Sequence, residues 1–347
     1  MIDKLARHKR RVDEWALRAF GRVVEEVGGL GWPEEWIGAV REMIPGGKGM
    51  RAGLVIETAR AFDGRIKPEE IMPVAAALEL MQAALLIQDD VMDGDELRRG
   101  RPALHKRIEL GLGERVVGGG KKAESVAYCL SDVIFFVVLG VLGEEGVAQR
   151  VRVVREFVRE FVRVGFGQAR DVVMAGGDYG VEEILEMYRM KTASYSFGLP
   201  LKLGAILAGQ AEEVVGEMAG LGKVLGVMFQ IKDDMLNVFG EVAETGKSVG
   251  SDVVEDKQTV IRAVVGEMAK NDGKARELWG YFGKPMGKGE YRKFREMAET
   301  LGVAEQVERL LESRRAELEE LVEGASVPDG VKKLLREVGA FVVARAR

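Results

Sequence analysis

Two acidic clusters of the same form occur far apart in this chain of 347 residues. The sequence LLIQDDVMD has its first acid at Asp89 and its last at Asp93, and FQIKDDMLN has Asp233 and Asn237 in the matching places. In a helix, the two residues of each pair lie one turn apart on a single face. Clustered oxygen ligands suit magnesium, which prefers a few carboxylates together with waters and phosphate oxygens. If the two helices face each other across a cavity, the implied ligand is a diphosphate.

A structural interpretation competes with this one for each cluster taken alone. Asp89 and Asp93 could end a solvated helix and pair with Arg98 and Arg99. Like charges one turn apart destabilise a helix slightly, so this interpretation must explain why an apolar helix accepts them at its end. It must also explain why the arrangement recurs, and the recurrence favours the metal site.

Cations that could hold a diphosphate follow both clusters and also occur mid-chain, although each alone would be read as a surface charge. Near the N-terminus, the sequence GGKGMR at residues 46–51 places two cations beside a glycine-rich turn that exposes backbone N–H groups, which predicts a second anion pocket. For Asp252 two interpretations stay open, metal contact and, with Glu255, a helix N-cap. The candidate cations and their polar neighbour are Lys48, Arg51, Arg98, Arg99, Lys191 with Thr192, Lys247 and Lys257.

The composition excludes several other chemistries. One cysteine, Cys129, and two histidines, His8 and His105, leave no intrachain disulfide and no cysteine–histidine zinc site. Any metal would therefore be held by oxygen. Lys and Arg total 51 against 56 Asp and Glu, a net charge of -5, so the overall charge does not attract nucleic acid.

The pattern along the chain predicts an all-α protein. Apolar residues recur at helical spacing almost throughout, strand-like alternation is scarce, and the breaks are too short to be interdomain linkers. With 47% hydrophobic residues, we predict one large helical domain over residues 1–347, with the motifs between about residues 45 and 260 and helical flanks. The 45 glycines are many for such a fold, and some of them are expected to allow close helix packing.

The N-terminal residues lack the apolar core of a signal peptide, so the expected location is the cytoplasm. The longest apolar run, Val126–Leu142, is slightly short for a membrane span and has Asp132 near its centre. We therefore expect a buried helix there and no transmembrane segment.

Together these motifs resemble those of the trans-isoprenyl diphosphate synthases, or polyprenyl synthetases, over about residues 45–259. The resemblance rests on the GGK turn, the DDVMD cluster followed by RRG and Pro102, the KT pair, and FQIKDD with the GKSVGSD stretch that leads to Lys257. It implies a single large helical bundle around a deep central cavity, usually a homodimer, in which three magnesium ions bridge the aspartate helices to an allylic diphosphate. Among such enzymes, the synthases of geranylgeranyl and farnesylgeranyl diphosphates are the ones it resembles.

The resemblance also implies a role for each matching residue. Metal and cations neutralise the departing diphosphate, the isopentenyl double bond attacks the allylic carbocation, and proton loss completes the step. The implied metal ligands are Asp89, Asp93 and Asp233, supported by Asp90, Asp234 and Asp252. The implied allylic diphosphate site is Arg98, Lys191, Thr192, Gln230, Lys247 and Lys257, and the isopentenyl diphosphate site is Lys48, Arg51, Gln82 and Arg99. Those expected to act in the chemical step are Asp89, Asp90, Asp93, Lys191, Asp233 and Lys247.

Four positions depart from the pattern of that family. Gln82 stands where a histidine is usual, Gly49 where an arginine is usual, and Ala52 where a proline is usual. Asn237 replaces the third aspartate of the second cluster and is, being neutral, a poorer magnesium ligand. Gln82 can still donate a hydrogen bond but supplies no charge, and the departures at Gly49 and Ala52 could weaken or reshape the isopentenyl site.

Two other functions stay open. A class I terpene cyclase is one, because Asp233, Asn237 and Glu241 fall at positions one, five and nine, as in the second metal triad of that family. A regulatory subunit of another synthase is the other. The cyclase would leave the pocket at Lys48 and Arg51 unused, so the synthase is favoured.

Product length should depend on the helix that carries the first cluster. Ala84 and Leu85 lie about one turn before Asp89, where family members that stop at about fifteen carbons have bulky aromatic residues. Neither residue is aromatic here, so the floor of the cavity is expected deeper, near Met81. This predicts a product of about twenty to twenty-five carbons, although Ala84 could instead simply pack against a neighbouring helix.

Overall fold

The computed structural model describes residues 2–28, 33–112, 118–144, 146–240 and 250–345, and nearly all secondary structure in these ranges is helical. The α-helices of the N-terminal half are α1 (Ile2–Ala6), α2 (Lys9–Glu26), α3 (Glu34–Met43), α4 (Met50–Phe62), α5 (Pro68–Met92), α6 (Leu104–Leu112), α7 (Gly119–Gly143) and α8 (Arg150–Met174). Those that follow are α9 (Val181–Tyr188), α10 (Leu199–Leu207), α11 (Glu212–Phe239), α12 (Ser251–Val254), α13 (Val260–Ala269), α14 (Gly273–Trp279), α15 (Lys288–Thr300), α16 (Val303–Gly324) and α17 (Asp329–Ala344). The prediction of an all-α fold is confirmed.

Three shorter features complete the secondary structure of the described ranges. A 3-10 segment, Ile44–Gly46, precedes α4, and a π-helix, Arg189–Gly198, continues from α9. An antiparallel pair of two-residue strands, β1 (Leu97–Arg98) and β2 (Arg101–Pro102), follows α5.

The chain forms two compact units. The first consists of Met1–Arg155 with Leu203–Gln210, and the second consists of Glu156–Lys202 with Ala211–Arg347. The first unit contains the cluster at Asp89 and the glycine-rich turn, and the second contains the cluster at Asp233. The organisation of the whole chain as one domain around one cavity stays a prediction.

In the first unit, α5 carries the first acidic cluster and packs against α2, α4 and α7. It begins with Pro68, which suits a first helical position because the N–H group there has no partner within the helix. Large apolar side chains along it, including Leu78, Leu80 and Ile87, are fully buried. This burial holds the C-terminal end of the helix, and hence the acids, in a fixed place.

In the second unit, three glycines let other helices approach the backbone of the π-helix. A methyl group at Gly226 of α11 would lie 2.4 Å from the Cα atom of Ala193, and one at Gly222 would lie 2.5 Å from that of Gly198. A methyl group at Gly167 of α8 would lie 2.6 Å from the backbone nitrogen of Lys191. These are the close helix contacts expected for some of the many glycines.

Three described helices have the length and composition that a membrane-spanning helix needs: α5, α7 and α11. The most apolar stretch of α5 is 72% buried inside the protein, that of α11 50% and that of α7 44%. From the sequence, the apolar run Val126–Leu142 was expected to be slightly short for a membrane span. Helix α7 is longer than this run, so its length is no argument against a span. One side of α7 is buried, whereas Phe136 and Leu139, elsewhere on the same helix, are exposed. The expected absence of a transmembrane segment therefore stays a prediction.

Candidate active site

The first acidic cluster lies at the C-terminal end of α5. Asp89 is 30% exposed and Asp93, which follows the last helical residue, is exposed, whereas Asp90 is fully buried. A carboxylate that binds a metal and a substrate arriving from solvent has to be accessible. Asp89 and Asp93 meet that condition, while Asp90 faces the protein.

Asp90 anchors Arg98. The Nε atom of Arg98 donates to Oδ1 of Asp90 at 2.5 Å, and its Nη2 atom lies 3.0 Å from Oδ2 of Asp95. Burial raises the pKa of Asp90 to about 6, against the opposing effect of the hydrogen bond and charge of Arg98. The Nη2 atom also lies 3.9 Å from Oδ2 of Asp89, so Arg98 is fixed beside an accessible acid. This is part of the ion pairing that the structural interpretation expected, and it also places a cation where a diphosphate would bind.

A tight turn separates Arg98 from Arg99. The two strands are joined by Arg99 and Gly100, and both have positive φ, 55° and 74°, as in a type I′ hairpin turn. This conformation is strained for arginine. The Arg99 guanidinium lies against Gly46, where a methyl group would be 1.2 Å from Nη1, and the same nitrogen donates to the carbonyl of Met43 at 3.4 Å. Arg99 therefore turns toward the glycine-rich turn instead of the acids.

The backbone of the glycine-rich turn explains one departure from the family pattern. Nζ of Lys9 donates to the carbonyl of Pro45 at 2.7 Å and holds the turn from α2. Gly49, the residue before α4, has a φ of 67°. Glycine adopts the left-handed conformation without strain, whereas arginine does not, so the backbone conformation explains why this position is a glycine.

A buried carboxylate explains a second departure. The N–H group of Ala52 donates to Oε1 of Glu79 at 3.2 Å, a bond that a proline could not make because it has no N–H group. Burial raises the pKa of Glu79, while the charge of Arg51 and the bond from Ala52 act in the opposite direction. Glu79 precedes Gln82 by one turn of α5, so it links the start of α4 to that part of α5. Lys48 on the turn is exposed, and Arg51 and Gln82 are half-buried.

The three residues expected to set product length lie on α5 in the first unit. Ala84 is fully buried, and its carbonyl accepts a hydrogen bond from Oγ of Ser131 on α7 at 3.0 Å. Met81 is buried and Leu85 is half-buried. Ala84 thus packs against a neighbouring helix, and the role of the three residues in chain length stays a prediction.

The second acidic cluster has the same arrangement as the first, an accessible aspartate followed by a buried one. Asp233 on α11 is 44% exposed, and Asp234 is buried. Oδ2 of Asp234 accepts a hydrogen bond from the hydroxyl of Tyr188, and it accepts another from the N–H group of Val260 at 3.0 Å. Burial raises the pKa of Asp234 well above its usual value. The accessible Asp233 forms an ion pair with Arg345.

Asn237, the third member of the second cluster, uses both ends of its amide within the protein. Its Nδ2 atom donates to Oγ of Ser251 at 3.2 Å, and its Oδ1 atom accepts from the N–H group of Asp252 at 3.4 Å. Asn237 therefore holds the start of α12. Asp252 lies inside α12, whose N-cap is Gly250, so the N-cap interpretation of Asp252 is wrong. The metal interpretation of Asp252 stays a prediction.

The remaining predicted diphosphate ligands of the second unit lie around α11. Lys191 and Thr192 are half-buried in the π-helix, and Nζ of Lys191 donates to Oδ2 of Asp171 at 2.5 Å. Nζ of Lys257 lies 3.0 Å from Oε2 of Glu255. The other two are Gln230, whose Nε2 atom is 3.5 Å from Oδ1 of Asp234, and Lys247, which lies outside the described residues.

The described acids fit magnesium in their chemistry. In the described ranges, no three histidine, cysteine, aspartate or glutamate side chains converge into a group that could hold a metal by themselves. Magnesium does not need such a group, because it usually takes one or two carboxylates and fills its other positions with water and substrate phosphates. Asp89 with Asp93, and Asp233, supply accessible oxygen donors of that kind.

Several residues of these networks were not singled out from the sequence, and Glu79, Tyr188, Asp171 and Arg345 are among them. Glu79 gave a signal, because it is a charged residue inside the apolar run Leu78–Met81, and it proves to be buried. Tyr188 and Asp171 gave none, because each resembles any polar residue on an amphipathic helix. Arg345 lies in a basic C-terminal stretch and likewise gave no signal.

The chain matches known proteins over most of its length. Residues 34–299 match the family model of the polyprenyl synthetases. A short-chain isoprenyl diphosphate synthase of Methanothermobacter thermautotrophicus is 32% identical over 280 residues, which cover 80% of this chain and 78% of that protein. A geranylfarnesyl diphosphate synthase of Natronomonas pharaonis is 32% identical over 245 residues, 66% of this chain and 68% of that protein. The crystal structure of a geranylgeranyl pyrophosphate synthase from Corynebacterium glutamicum, complexed with isoprenyl diphosphate and magnesium, superposes with a TM-score of 0.88 at 25% identity, covering 98% of this chain and 99% of that one.

The family match, the relatives and the all-α structural neighbour together identify the chain as a prenyltransferase. The chain belongs to the polyprenyl synthetase family. The resemblance inferred from the motifs is thereby confirmed, and so is the enzyme class.

Proposed function

We propose that this enzyme condenses isopentenyl diphosphate with an allylic diphosphate, head to tail, to give a longer all-trans prenyl diphosphate. One observation carries the proposal: each aspartate pair has an accessible first acid and a buried second acid. Asp89 and Asp233 are accessible, whereas Asp90 and Asp234 are bonded to protein donors. A helix end needing only solubility has no reason to bury the second acid, because burial of a carboxylate is costly.

Magnesium at Asp89, Asp93 and Asp233 would supply positive charge to the leaving diphosphate. Support for this metal comes from the oxygen donors of the chain and from the magnesium named in the complex of the C. glutamicum enzyme. We propose three ions per active site, with Asp252 as a further ligand and with Asp90 and Asp234 holding Arg98 and the start of α13 in place.

The side chains that hold the allylic diphosphate are proposed to be Arg98, Lys191, Thr192, Gln230, Lys247 and Lys257. Their chemistry supports this role, because cations and hydrogen-bond donors stabilise a departing diphosphate most when they are fixed beforehand. Arg98 and Lys191 are fixed in this sense by Asp90 and Asp171. No protein nucleophile is needed, and the departed diphosphate is the proposed base for the final proton.

Isopentenyl diphosphate is proposed to bind in the first unit, at Lys48, Arg51, Gln82 and Arg99. The glycine-rich turn, the start of α4 and the hairpin turn carry three of these residues, and the contacts of Arg99 with Gly46 and of Glu79 with Ala52 hold them together. Gln82 can donate a hydrogen bond to this ligand but supplies no charge.

We further propose a product of twenty to twenty-five carbons and a homodimeric, cytoplasmic enzyme. The product range is supported by the similarity to a geranylfarnesyl and a geranylgeranyl synthase and by the absence of aromatic residues at Ala84 and Leu85. The dimer is supported by the exposed apolar side chains of Phe136 and Leu139 on α7, which a second copy would cover.

The terpene cyclase is the weaker alternative. Its triad would need the Asn237 side chain as a metal ligand, whereas that amide is bonded to Ser251 and to the N–H group of Asp252.

The test is incubation of the purified protein with magnesium and an allylic diphosphate, with and without isopentenyl diphosphate. We expect an elongated prenyl diphosphate only when both substrates are present. A cyclised hydrocarbon formed from the allylic substrate alone would establish the cyclase instead, and no product at all would favour a regulatory subunit.

Two variants connect this activity with the acidic clusters. Asp89→Ala and Asp233→Ala should each lower turnover by several powers of ten without unfolding the protein, since each power of ten needs only about 1.4 kcal/mol of lost transition-state stabilisation. Asp132→Ala, at an exposed acid of α7, should leave turnover unchanged. Wild-type turnover in excess chelator would contradict the role of magnesium.

A further inference from the structure

A buried hydrogen-bonded group in the second unit joins three helices. Tyr188 is the last residue of α9, Asp234 is on α11, and Val260 is the first residue of α13. The Tyr188 hydroxyl and the Val260 N–H group both donate to Oδ2 of Asp234, and the same N–H group lies 3.1 Å from the Tyr188 oxygen. Tyr188 is 4% exposed and Asp234 is 2% exposed, so the group is closed to solvent.

Stability alone is a poor explanation of such a group. Burial of a carboxylate is costly, and apolar residues of similar volume often stabilise a core as well or better than a buried polar network. A satisfied network does fix geometry, because its bonds require one relative placement of the elements that carry them. The question is therefore which residues this placement serves.

A proposed substrate or metal ligand lies within three residues of each member of the group along the chain. Asp233 is the residue before Asp234 on α11, and Lys191 follows Tyr188 by three residues in the π-helix that continues α9. Lys257 precedes Val260 by three residues. The group thus fixes the backbones that present one proposed metal ligand and two proposed diphosphate cations.

We propose that Tyr188 is a positioning residue, whose hydrogen bond to Asp234 sets Asp233 and Lys191 in the arrangement that holds magnesium and the allylic diphosphate. The inference rests on the proposed function of these two ligands. Tyr188 itself touches neither substrate nor metal. Loss of its hydroxyl should therefore affect the allylic side of the reaction and leave the binding of isopentenyl diphosphate unchanged.

Tyr188→Phe tests this, since it removes one oxygen atom and keeps the ring. We expect kcat to fall by at least about tenfold and the KM for isopentenyl diphosphate to stay within about twofold of the wild type. Calorimetric titration with magnesium and inorganic diphosphate, which requires no turnover, should show weaker binding by about fivefold to tenfold. Tyr281→Phe is the matched control, because it removes a hydroxyl from a ring that packs on Phe294 in the same unit, and both readouts should match the wild type.

A second variant shows whether Tyr188 acts through Asp234. Asp234→Asn keeps the shape of the side chain and changes its hydrogen bonding. If the two residues form one device, the losses of the single variants will not add in the double variant Tyr188→Phe with Asp234→Asn. Fully additive losses would show that Tyr188 acts by another route and would overturn the inference.

The remaining outcomes are distinct from failure of the proposed function. A wild-type protein that makes no prenyl diphosphate contradicts the function itself. An active wild type with an equally active Tyr188→Phe variant and unchanged magnesium–diphosphate binding overturns only the inference. A variant whose activity falls in proportion to its unfolded fraction, measured by circular dichroism at the assay temperature, would show a purely structural role and would also overturn it.

Discussion

Arg345 forms an ion pair with Asp233, the accessible acid of the second cluster. The guanidinium also lies over the ring of Phe229, 4.0 Å from its centroid, and its side chain is 10% exposed, so the C-terminal end of α17 is held against α11. A cation at this carboxylate competes with any metal ion that uses the same oxygen atoms.

Arg345→Ala should therefore bind magnesium more tightly in the absence of substrate. An ion pair of this kind contributes up to about 1 kcal/mol, so we expect roughly a fivefold lower dissociation constant. Calorimetric titration with magnesium chloride measures it. Arg336→Ala is the matched control, because Arg336, on the helix that ends just before Arg345, pairs with the exposed acids Glu319 and Glu323. Weaker magnesium binding in Arg345→Ala would show that this arginine helps to build the site.

Gly46→Ala should displace Arg99 without unfolding the protein. The added methyl group would lie 1.2 Å from Nη1 of Arg99, and the guanidinium is the flexible end of a side chain, so it moves aside at little cost. If Arg99 holds isopentenyl diphosphate, the KM for that substrate should rise by about tenfold while the KM for the allylic substrate is unchanged. Gly64→Ala is the control, since no atom lies within 4 Å of the added methyl group. An equal rise in both KM values would show that Arg99 is wrongly assigned to the isopentenyl site.

Glu79→Gln should change the pH dependence of stability in a defined direction. Burial raises the pKa of Glu79, so the folded protein favours the protonated acid more than the unfolded chain does. The contribution of Glu79 to the free energy of unfolding is therefore greatest below pH 4.5, its usual pKa, and decreases as the pH rises toward the folded-state pKa. Glutamine cannot ionise, so the variant should gain stability relative to the wild type as the pH rises from 4.5 toward the folded-state pKa, and the difference should stay constant at higher pH.

Glu57→Gln provides the opposite case for comparison. Glu57 is also buried, but hydrogen bonds from Arg7 and His8 outweigh burial and lower its pKa. The glutamate contributes stability above its usual pKa and loses it as the pH falls through the lower folded-state value. Its variant should therefore lose stability at neutral pH. Urea unfolding at a series of pH values measures, for each variant, its free energy of unfolding minus that of the wild type. If this quantity decreased with rising pH for Glu79→Gln, the argument would be contradicted.

The sequence predicted those parts of the fold and site that depend on periodicity and on residue type. Helical spacing and the paired acids identified α5 and α11, and the spacing of Asp89 and Asp93 gave the accessible pair. The resemblance ranked Asp89 and Asp233 before Asp90 and Asp234 as metal ligands, but the sequence did not predict that the second acid of each pair is buried, because burial depends on packing between helices. Tyr188 lies 46 residues from Asp234 and Arg345 lies 112 residues from Asp233, and such pairings leave no local pattern.

The departures at Gly49 and Ala52 show the same limit. From the sequence they suggested a weaker isopentenyl site, because each replaces the residue usual in the family. The left-handed conformation of Gly49 and the bond from the Ala52 N–H group to Glu79 explain instead, through the backbone, why glycine and alanine occupy these positions. Backbone conformation and a donor–acceptor pair 27 residues apart become visible only in three dimensions.

Product length provides the last prediction, and the packing of α5 shapes its test. Ala84 is fully buried against Ser131 of α7, so Ala84→Phe has to displace a packed helix and should cost about 1 to 3 kcal/mol of stability as well as shorten the product. Leu85→Phe is the sharper variant, because Leu85 is only half-buried and one turn from Asp89, and the ring can extend with less strain. Leu86→Phe is its matched control, since the next residue of a helix points about 100° away.

We expect wild-type products of about twenty to twenty-five carbons, shorter chains from Leu85→Phe, and unchanged chains from Leu86→Phe, because only a ring on the face that leads from the first cluster toward Met81 would raise the floor of the cavity. Chromatography of the dephosphorylated products separates these lengths. A wild type that stops at about fifteen carbons would refute the argument, because the cavity would then be closed one turn below Asp89 even though neither Ala84 nor Leu85 is aromatic. Equal shortening by Leu85→Phe and Leu86→Phe would instead show that the effect comes from general disturbance of α5. The residues that form the floor of the cavity would then lie on another helix.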